Sequence, residues 1–350
     1  MINMQTVLSE LKNYDGPVVR IMEVCGTHTN SIHKNGIPSL LSSKIKLISG
    51  PGCPVCVTGS GYIDHICELA KQENTVIYTF GDMIRVPGKD TSLAEVKATG
   101  GRVEIMYSPS EVFENAKLHP ELTFYVAAVG FETTIAVYAM LLDKIVNNNV
   151  KNVRFLTSLK AIIPALNWLC ETDHNIDGFI GPGHVSVILG SDVYRQVCEK
   201  YKIPMAIAGF EAEHILLAIY DLVCQHKKKI SEVHNLYKSV VGENGNVVAH
   251  KLIDKYFELK KTSWRGVGSI EGSGYFLKPE YAEFDAGSRI AETDEVIENG
   301  CMCGAVIIGK VTPDNCPLFG TVCTPLRPKG ACMVSSEGTC SVFYQNGVRR

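Results

Sequence analysis

Residues 47–57, LISGPGCPVCV, combine a strand pattern with two reactive side chains. The apolar run that begins at Lys46 predicts a buried strand, and the following Gly-Pro-Gly predicts a tight turn. The turn delivers Cys53 and Cys56 at the end of that strand. Two thiols at this spacing can chelate one metal ion or close a small disulfide, so either possibility places chemistry at a strand end.

The order of strand, loop and helix around this stretch recurs from residue 17 to about residue 225. Short β-branched runs that alternate with helical patterns are typical of mostly parallel sheets covered by helices. We therefore predict an α/β fold with two Rossmann-like lobes, at 1–117 and 118–226, whose sheets face a central cleft. A third, cysteine-rich domain is predicted at 227–350, beginning with helices at 230–240 and 247–256.

Composition excludes several classes of protein. The chain has 350 residues and a formal net charge of -3, which gives no reason to expect nucleic acid or a membrane surface as partner. The amphipathic N-terminal stretch lacks the apolar core of a signal peptide, and no apolar run is long enough to span a bilayer. We expect a cytoplasmic protein. The chain has thirteen cysteines, and a reducing compartment favours metal or redox roles for cysteines over structural disulfides.

The predicted strands end on loops that carry thiol, imidazole or carboxylate groups. Ligands bind outside the carboxyl ends of the strands in open α/β sheets, so these loops predict one cleft site. Taken singly, Glu132 and Glu211 could instead complement a helix dipole, and His28 and His184 could be structural. The loops are Cys25-Gly-Thr-His28, Gly50-Pro-Gly-Cys53-Pro-Val-Cys56, Gly81-Asp82, Gly130-Phe-Glu132, Gly181-Pro-Gly-His184 and Gly209-Phe-Glu211.

Three interpretations of the N-terminal thiols Cys25, Cys53 and Cys56 remain open from spacing alone. Zinc would need a fourth ligand, which His28 could provide. A dithiol redox site would use Cys53 and Cys56. A low-spin iron with π-acid ligands would need thiolates beside open coordination positions.

Six cysteines in the last 50 residues form a second group, and four others lie in helical patterns where they are predicted to be small buried hydrophobes. No histidine follows His250, so a metal site in the C-terminal group must be all-thiolate. The C-x-C spacing at its start favours an iron–sulfur cluster over zinc. The C-terminal group comprises Cys301, Cys303, Cys316, Cys323, Cys332 and Cys340, and the helical group comprises Cys67, Cys170, Cys198 and Cys224.

The motifs MEVCGTHT, GPGCPVC, GFETT, GPGHVS and CMCG…CPLFG…MVSSEGTC occur together in this chain. In this combination the sequence resembles the HypD family of hydrogenase maturation proteins, from Met22 to about Tyr344. The resemblance implies a scaffold for assembly of the Fe(CN)2CO unit of [NiFe]-hydrogenase, more than a stand-alone catalyst. It also implies a small HypC-type chaperone as partner and a HypE-type cyanide donor that binds transiently.

The resemblance assigns roles to individual residues. Cys25 and Cys56 are the implied iron ligands, Cys53 is the implied redox partner of Cys56, and His28 and Asp82 are implied proton-handling neighbours. A [4Fe-4S] cluster is implied at the C-terminus, where Cys332 is interpreted as incidental. The implied cluster ligands are Cys301, Cys303, Cys316 and Cys323. Cys340 belongs to the same motif and is implied either as a cluster ligand or as a redox relay thiol, and Glu337 of that motif is a further candidate catalytic residue.

An alternative function is an iron–sulfur thiol-disulfide reductase that acts on a protein disulfide. A zinc scaffold without redox activity is the third possibility. The alternatives differ in whether the purified protein carries iron-bound cyanide and carbonyl.

Overall fold

The computed structural model describes residues 3–172, 175–292 and 300–347, which form two sheets with helices around them. The strands are β1 Val19–Glu23, β2 Ile45–Ser49, β3 Thr75–Thr79, β4 Val103–Ile105, β5 Thr123–Gly130, β6 Val153–Lys160, β7 Gly178–Gly181, β8 Met205–Ile207, β9 Val233–Asn235, β10 Phe257–Trp264 and β11 Gly268–Leu277. The helices are α1 Met4–Lys12, α2 Gly26–Lys34, α3 Ser60–Ala70, α4 Leu93–Ala98, α5 Pro109–Leu118, α6 Glu132–Asn147, α7 Ile162–Thr172, α8 Gly183–Leu189, α9 Arg195–Tyr201, α10 Ala212–Lys228, α11 Val247–Tyr256, α12 Cys303–Ile307, α13 Ala331–Val334 and α14 Thr339–Gln345.

The first sheet has five strands in the order β2-β1-β7-β8-β9, and every neighbouring pair is parallel. The second sheet has six strands in the order β10-β11-β6-β5-β3-β4. Its strands β4, β3, β5 and β6 are parallel, whereas the β10–β11 hairpin joins β6 in antiparallel fashion. The predicted α/β fold with mostly parallel sheets is therefore confirmed.

Each sheet has a switch point where the strand order reverses. In the first sheet it lies between β1 and β7, and in the second between β3 and β5. Loops that leave a switch point diverge above and below the sheet and leave a crevice for a ligand. The loops concerned carry Cys25 and His184 in the first sheet, and Asp82 and Glu132 in the second. The topology thus places these candidate residues at the positions where α/β sheets bind ligands.

Neither sheet is built from one continuous part of the chain. The first takes β1 and β2 from the N-terminal part and β7 to β9 from residues 178–235, and the second takes the intervening strands together with β10 and β11. The ranges 1–117 and 118–226 therefore do not each correspond to one sheet. Residues 227–277 complete both sheets, so the cysteine-rich region proper begins after β11.

A shared core lies between the two sheets. Its buried side chains include Met22 of β1, Ile77 of β3 and Phe319 of the cysteine-rich region. Two further clusters cover the outer faces: one packs α5, α6 and α11 on the six-stranded sheet, and the other packs α1 and α10 on the five-stranded sheet. The cysteine-rich region is therefore anchored to both sheets through apolar contact.

The local predictions differ from the structure at three places. The predicted helix at 230–240 instead contains strand β9, because Val233–Asn235 pairs with β8 at the sheet edge. Helix α5 was not predicted, although Ser108 caps it and Pro109 occupies its first turn. The sequence pattern after Gly181 also predicts one helix up to Tyr201, whereas the structure has two, α8 and α9, with a break at Gly190, whose φ is 85°.

No helix in the described part of the chain combines the length and apolar character needed to cross a membrane.

We expect Gly190→Ala to lower the free energy of unfolding by about 3 kcal/mol, because two costs add at this position. A Cβ atom here would lie 2.1 Å from the carbonyl oxygen of Glu243, at a φ of +85°. Gly100→Ala is the matched control, since its φ of +108° is also positive but nothing lies within 4 Å of the added atom. Urea unfolding should show a larger decrease in the free energy of unfolding for Gly190→Ala than for Gly100→Ala. Equal decreases would contradict the steric clash with Glu243.

Candidate functional site

The N-terminal thiols come from two neighbouring loops of the five-stranded sheet. Cys25 follows β1 and is the N-cap residue of α2, and Cys53 and Cys56 follow β2 and form a disulfide. A Cβ atom on Gly52 would lie 2.3 Å from the Cys25 amide nitrogen, so only glycine permits this approach. The amide of Gly26 donates to the Gly52 carbonyl oxygen at 3.3 Å. All three thiols are therefore held by one backbone contact between the loops.

A buried carboxyl group lies beneath Cys25. Glu23, the last residue of β1, accepts a hydrogen bond from the Cys25 amide at 3.0 Å and another from the Thr29 hydroxyl. Burial raises the pKa of Glu23 from 4.5 to about 7, although these hydrogen bonds oppose the rise. This carboxyl group can therefore hold or release a proton near neutral pH.

The Cys25 thiol is held in its protonated form. Burial raises its pKa to about 12, and the nearby carboxyl groups of Glu337 and Glu23 contribute in the same direction. A free thiolate is thus unfavourable here at neutral pH. A bound cation would reverse this balance, because a coordinating thiol loses its proton to the charge of the metal.

The C-terminal segment packs directly on the N-terminal loops. A Cβ atom on Gly26 would lie 2.5 Å from the Cβ atom of Glu337, and the Thr27 hydroxyl donates to Glu337 Oε1 at 2.8 Å. Asp82, after β3 of the other sheet, accepts from the Ser335 hydroxyl at 2.9 Å and from the Ser336 amide at 3.2 Å. Residues 335–337 therefore connect a loop of each sheet.

His28 faces the loop after β8. Its Nε2 lies 3.3 Å from the carbonyl oxygen of Ala208 and 3.2 Å from that of Gly209, so Nε2 carries the proton. Burial lowers its pKa to about 4, so the imidazole is neutral at pH 7. Phe210 lies between the rings of His28 and His184, with ring centroids 4.8 Å and 4.1 Å away.

Glu132 begins α6 and is 1% exposed. Its Oε1 accepts from the Ile162 amide at 2.9 Å, whereas its Oε2 has no hydrogen-bond partner among the described residues. Burial raises its pKa from 4.5 to about 7. Of the other cleft candidates, His184 and Glu211 are exposed. The candidates thus divide into a buried group and a solvent-facing group.

Tyr194 connects the two parts of the cleft. This fully buried phenol lies 3.0 Å from the Ser186 hydroxyl, and burial raises its pKa. The Glu132 carboxyl group and the Cys25 thiol also raise the pKa of Tyr194 electrostatically. Glu132 of one sheet and Cys25 of the other therefore approach a common neighbour.

The C-terminal cysteines surround one small cavity of about 10 Å³. Four of their thiols form a hydrogen-bonded series from Cys301 through Cys303 and Cys332 to Cys340. The Cys340 amide also donates to the Cys332 sulfur at 3.2 Å. The cysteines that line the cavity are Cys301, Cys303, Cys316, Cys323, Cys332 and Cys340.

The donor set of this cavity fits an iron–sulfur cluster. Six sulfur atoms face it, more than the four thiolates that a cluster needs, and its other lining side chains are the apolar Val306, Phe319 and Met333. In the described part of the chain, no three His, Cys, Asp or Glu side chains are grouped to hold a single metal ion. Cys332, which is interpreted as incidental from the sequence, also lines this cavity, because α13 and α14 bring it beside the other cysteines and spacing does not show this.

A sequence model described as "HypD: Hydrogenase formation hypA family" matches residues 3–347. This chain belongs to the HypD family. The expected resemblance is therefore confirmed over almost the entire chain.

Several HypD-family proteins are similar over most of their length. The hydrogenase maturation factor HypD of Escherichia coli K12 is 41% identical over 331 residues, which cover 93% of this chain and 89% of that protein. The hydrogenase maturation factor HypD of Azotobacter vinelandii is 39% identical, and the match covers 95% of this chain and 90% of that protein. The hydrogenase expression/formation protein HupD of Azotobacter chroococcum is 38% identical, and the match again covers 95% of this chain and 90% of that protein.

Sequence reasoning about this HypD-family chain missed two residues of the site. Glu23 stands two positions before Cys25, and a carboxylate at the end of an apolar strand was a signal that could have identified it. Tyr194 lies within a helical pattern and has no local signal. Its placement near Cys25 and Glu132 depends on contacts between distant parts of the chain.

We expect Gly52→Ala to separate the two thiol loops, because the added methyl group cannot fit against the Cys25 backbone. Cys25 is 8% exposed, so its alkylation by iodoacetamide should be slow in the native protein and faster in the variant. Gly81→Ala is the matched control, since its nearest atom is 3.9 Å away. Peptide mass spectrometry measures both rates, and an unchanged rate in Gly52→Ala would contradict the contact.

We expect Glu132→Gln to remove a pH dependence of stability. The folded-state pKa of about 7 lies above the ordinary 4.5, so the stabilising contribution is complete below pH 4.5 and is lost as pH rises to 7. The free energy of unfolding of the wild type falls by at most about 3 kcal/mol over this pH range, and that of the glutamine variant does not fall in this way. Urea unfolding should therefore show that the free energy of unfolding of the variant, relative to that of the wild type, is greater at pH 7.5 than at pH 5. Parallel stability curves would contradict the raised pKa.

Proposed function

We propose that this chain is a hydrogenase maturation factor on which the Fe(CN)2CO unit of [NiFe]-hydrogenase is assembled. The chain belongs to a family whose description names hydrogenase formation, and its relatives are named hydrogenase maturation factors. Both facts support a role in hydrogenase maturation. The iron is the cargo of this reaction and not a resident cofactor. The geometry of the thiols supports the finer assignment of roles.

The observation that carries the proposal is the contact between the two cysteine groups. Glu337 lies three residues before Cys340, and it packs on Gly26 and accepts from Thr27 beside Cys25. This contact supports the proposal that the six-cysteine cavity and the N-terminal thiols belong to one site. A metal-binding thiol pair beside an electron-transfer centre is the arrangement that reductive metal assembly requires.

Cys25 and Cys56 are proposed to bind the iron. Cys25 keeps its proton until a cation arrives, because its pKa is raised to about 12. Cys56 is paired with Cys53, and opening this disulfide consumes two electrons and two protons and leaves two thiols. Glu23, whose pKa is about 7, can accept the proton that Cys25 releases when it binds iron.

Cyanide delivery from a thiocyanate is also reductive. Cleavage of the sulfur–carbon bond of a thiocyanate consumes two electrons and yields a thiolate on the donor and a cyanide ion for the iron. An external low-potential electron donor supplies these electrons. A [4Fe-4S] cluster held by Cys301, Cys303, Cys316 and Cys323 would provide single-electron chemistry at this end of the site.

Two partners belong to the proposal. A small HypC-type chaperone would supply a further thiolate to the iron, because Cys25 and Cys56 are only two ligands. A HypE-type protein would deliver cyanide and bind transiently. Asp82 and Glu337 are proposed to hold the C-terminal segment against Cys25 during these steps, since Asp82 accepts from Ser335 of that segment and Glu337 of the segment accepts from Thr27.

We expect Cys25→Ala, purified together with the small chaperone, to lose the infrared bands of iron-bound cyanide and carbonyl, because one of the two iron ligands is missing. Cys224→Ala is the matched control, since this half-buried thiol lies in α10, outside both cysteine groups, and should leave the bands unchanged. Bands of normal intensity in Cys25→Ala would contradict the ligand assignment.

The same measurements separate the alternative functions. A thiol-disulfide reductase would show iron and sulfide on analysis but no cyanide or carbonyl bands in the wild-type complex. A zinc scaffold would contain zinc and no sulfide.

A further inference from the structure

Residues 324–330, TPLRPKG, form a loop beside the cysteine-rich cavity, and the proposed mechanism gives this loop no role. The Lys329 amide donates to the sulfur of Cys323 at 3.3 Å. A Cβ atom on Gly330 would lie 3.0 Å from the sulfur of Cys301. The backbone of the 324–330 loop therefore lies directly against sulfur atoms of the cavity.

The 324–330 loop lies where the cavity comes nearest to solvent. Cys301 is half-buried, whereas the other five cysteines of the cavity are buried. Gly330, which lies against Cys301, lines the cavity too. An electron donor outside the protein therefore comes nearest to a cluster in this cavity on the side of the loop.

The tip of the loop is a tight turn that presents an apolar side chain. Thr324 and Arg327 exchange two backbone hydrogen bonds, at 3.3 and 3.0 Å, and Pro325 fixes the backbone at the second position of the turn. Leu326 at the third position is 90% exposed, the largest value among the large apolar side chains of the described residues. Val322, two residues before the turn, is 52% exposed. A preformed turn lets a partner bury these side chains at little cost in conformational entropy.

Positive charge surrounds this apolar tip. Arg327 is the next residue after Leu326, and Arg85, from the segment after β3, donates to the Pro325 carbonyl oxygen at 3.2 Å. Both arginines are exposed, and neither forms an ion pair with a carboxylate of the described residues. Lys329 of the same loop is a further exposed cation. A single exposed leucine has no meaning by itself, but an apolar centre with a charged rim is how protein interfaces are built.

The charge of the whole chain is distributed in the same sense. The last 50 residues contain five lysines and arginines and two acidic residues, which is a net charge of +3. The chain as a whole has -3, so the first 300 residues have -6. A positive surface on an otherwise negative protein attracts an acidic partner to one place and repels it elsewhere.

We propose that the 324–330 loop, together with Arg85, is the docking surface for a small acidic protein that carries one electron at a time. This inference rests on the proposed function, since it requires a cluster in the cavity. In each encounter the carrier loses one electron and the cluster gains it, and no proton is transferred. Opening the Cys53–Cys56 disulfide consumes two electrons, so two encounters are needed and the first carrier must leave. A small surface with charge at its rim suits such brief contacts.

The test is the dissociation constant, Kd, of the complex between the full chain with its cluster and a small acidic ferredoxin at low ionic strength. Arg327→Glu reverses one charge of the surface, and we expect it to raise Kd about tenfold. Leu326→Ser removes the apolar tip, and we expect it to raise Kd about fivefold. Isothermal titration calorimetry measures both changes. Added salt should weaken wild-type binding more than that of Arg327→Glu, because screening acts on the charge that the variant lacks.

Each variant has a matched control elsewhere on the surface. Lys238→Glu makes the same kind of charge change at an exposed lysine after the edge strand β9, and Leu118→Ser removes a leucine that is 73% exposed at the end of α5. We expect both controls to bind the ferredoxin like the wild type. An equal rise of Kd in Arg327→Glu and Lys238→Glu would overturn the inference. Wild-type protein that binds a basic cytochrome c and not the acidic ferredoxin would overturn it too.

Electron transfer gives a second measurement. Stopped-flow absorbance should show slower reduction of the cluster by reduced ferredoxin in Arg327→Glu than in Lys238→Glu. Dithionite, which needs no docking surface, should reduce the cluster completely in every variant. A cluster that dithionite cannot reduce in Arg327→Glu would overturn the docking role and make Arg327 part of the cluster site. Displacement of the ferredoxin by the small HypC-type chaperone would overturn it as well and assign the surface to the chaperone.

Infrared bands of iron-bound cyanide and carbonyl separate this inference from the proposed function. A Kd that depends on Arg327, in cluster-loaded protein whose complex with the chaperone lacks these bands, would support the docking surface and contradict Fe(CN)2CO assembly. Equal Kd values for the wild type and Arg327→Glu, in protein that carries the bands, would overturn the docking surface and leave the proposed function intact.

Discussion

The site depends on the contact between the backbone of Cys25 and Gly52. The two residues belong to loops that leave adjacent parallel strands, β1 and β2, at the same edge of the five-stranded sheet. Parallel pairing places the strand ends side by side, and the missing Cβ atom of Gly52 lets the loops touch. The positions of Cys25 and of the Cys53–Cys56 pair follow from this contact. The C-terminal segment then packs on Gly26, so the second cysteine group depends on it too.

Buried groups around this contact favour the protonated thiol. Burial raises the pKa of Cys25 to about 12 and that of Glu23 to about 7, so Cys25 keeps its proton at neutral pH whereas Glu23 is partly ionised there. Under the proposed function, a cation at Cys25 would favour release of the thiol proton, which the ionised Glu23 carboxylate could accept. Without a cation, the protonated thiol is not a reactive nucleophile.

Much of the fold could be predicted from the sequence, because β-branched runs that alternate with helical patterns are typical of parallel sheets covered by helices. The candidate loops could be located for the same reason, since thiols and carboxylates at strand ends are visible in the chain. The assignment of strands to sheets could not be predicted: nothing in residues 75–79 shows that β3 joins β5 and not β1. The places of Cys332 and Tyr194 could not be predicted for a related reason, because their neighbours are distant in sequence and only tertiary packing brings them together.

The hydrogen bond between Thr27 and Glu337 spans 310 positions of the chain. A ribosome delivers Thr27 long before Glu337, so the N-terminal thiols spend most of synthesis without the segment that covers them. The first sheet is also incomplete until β7 to β9 have emerged. A polypeptide that stops before the final helix therefore has the N-terminal cysteines but not the segment that packs on them. Under the proposed function, completion of translation would itself be a condition for iron binding at these cysteines.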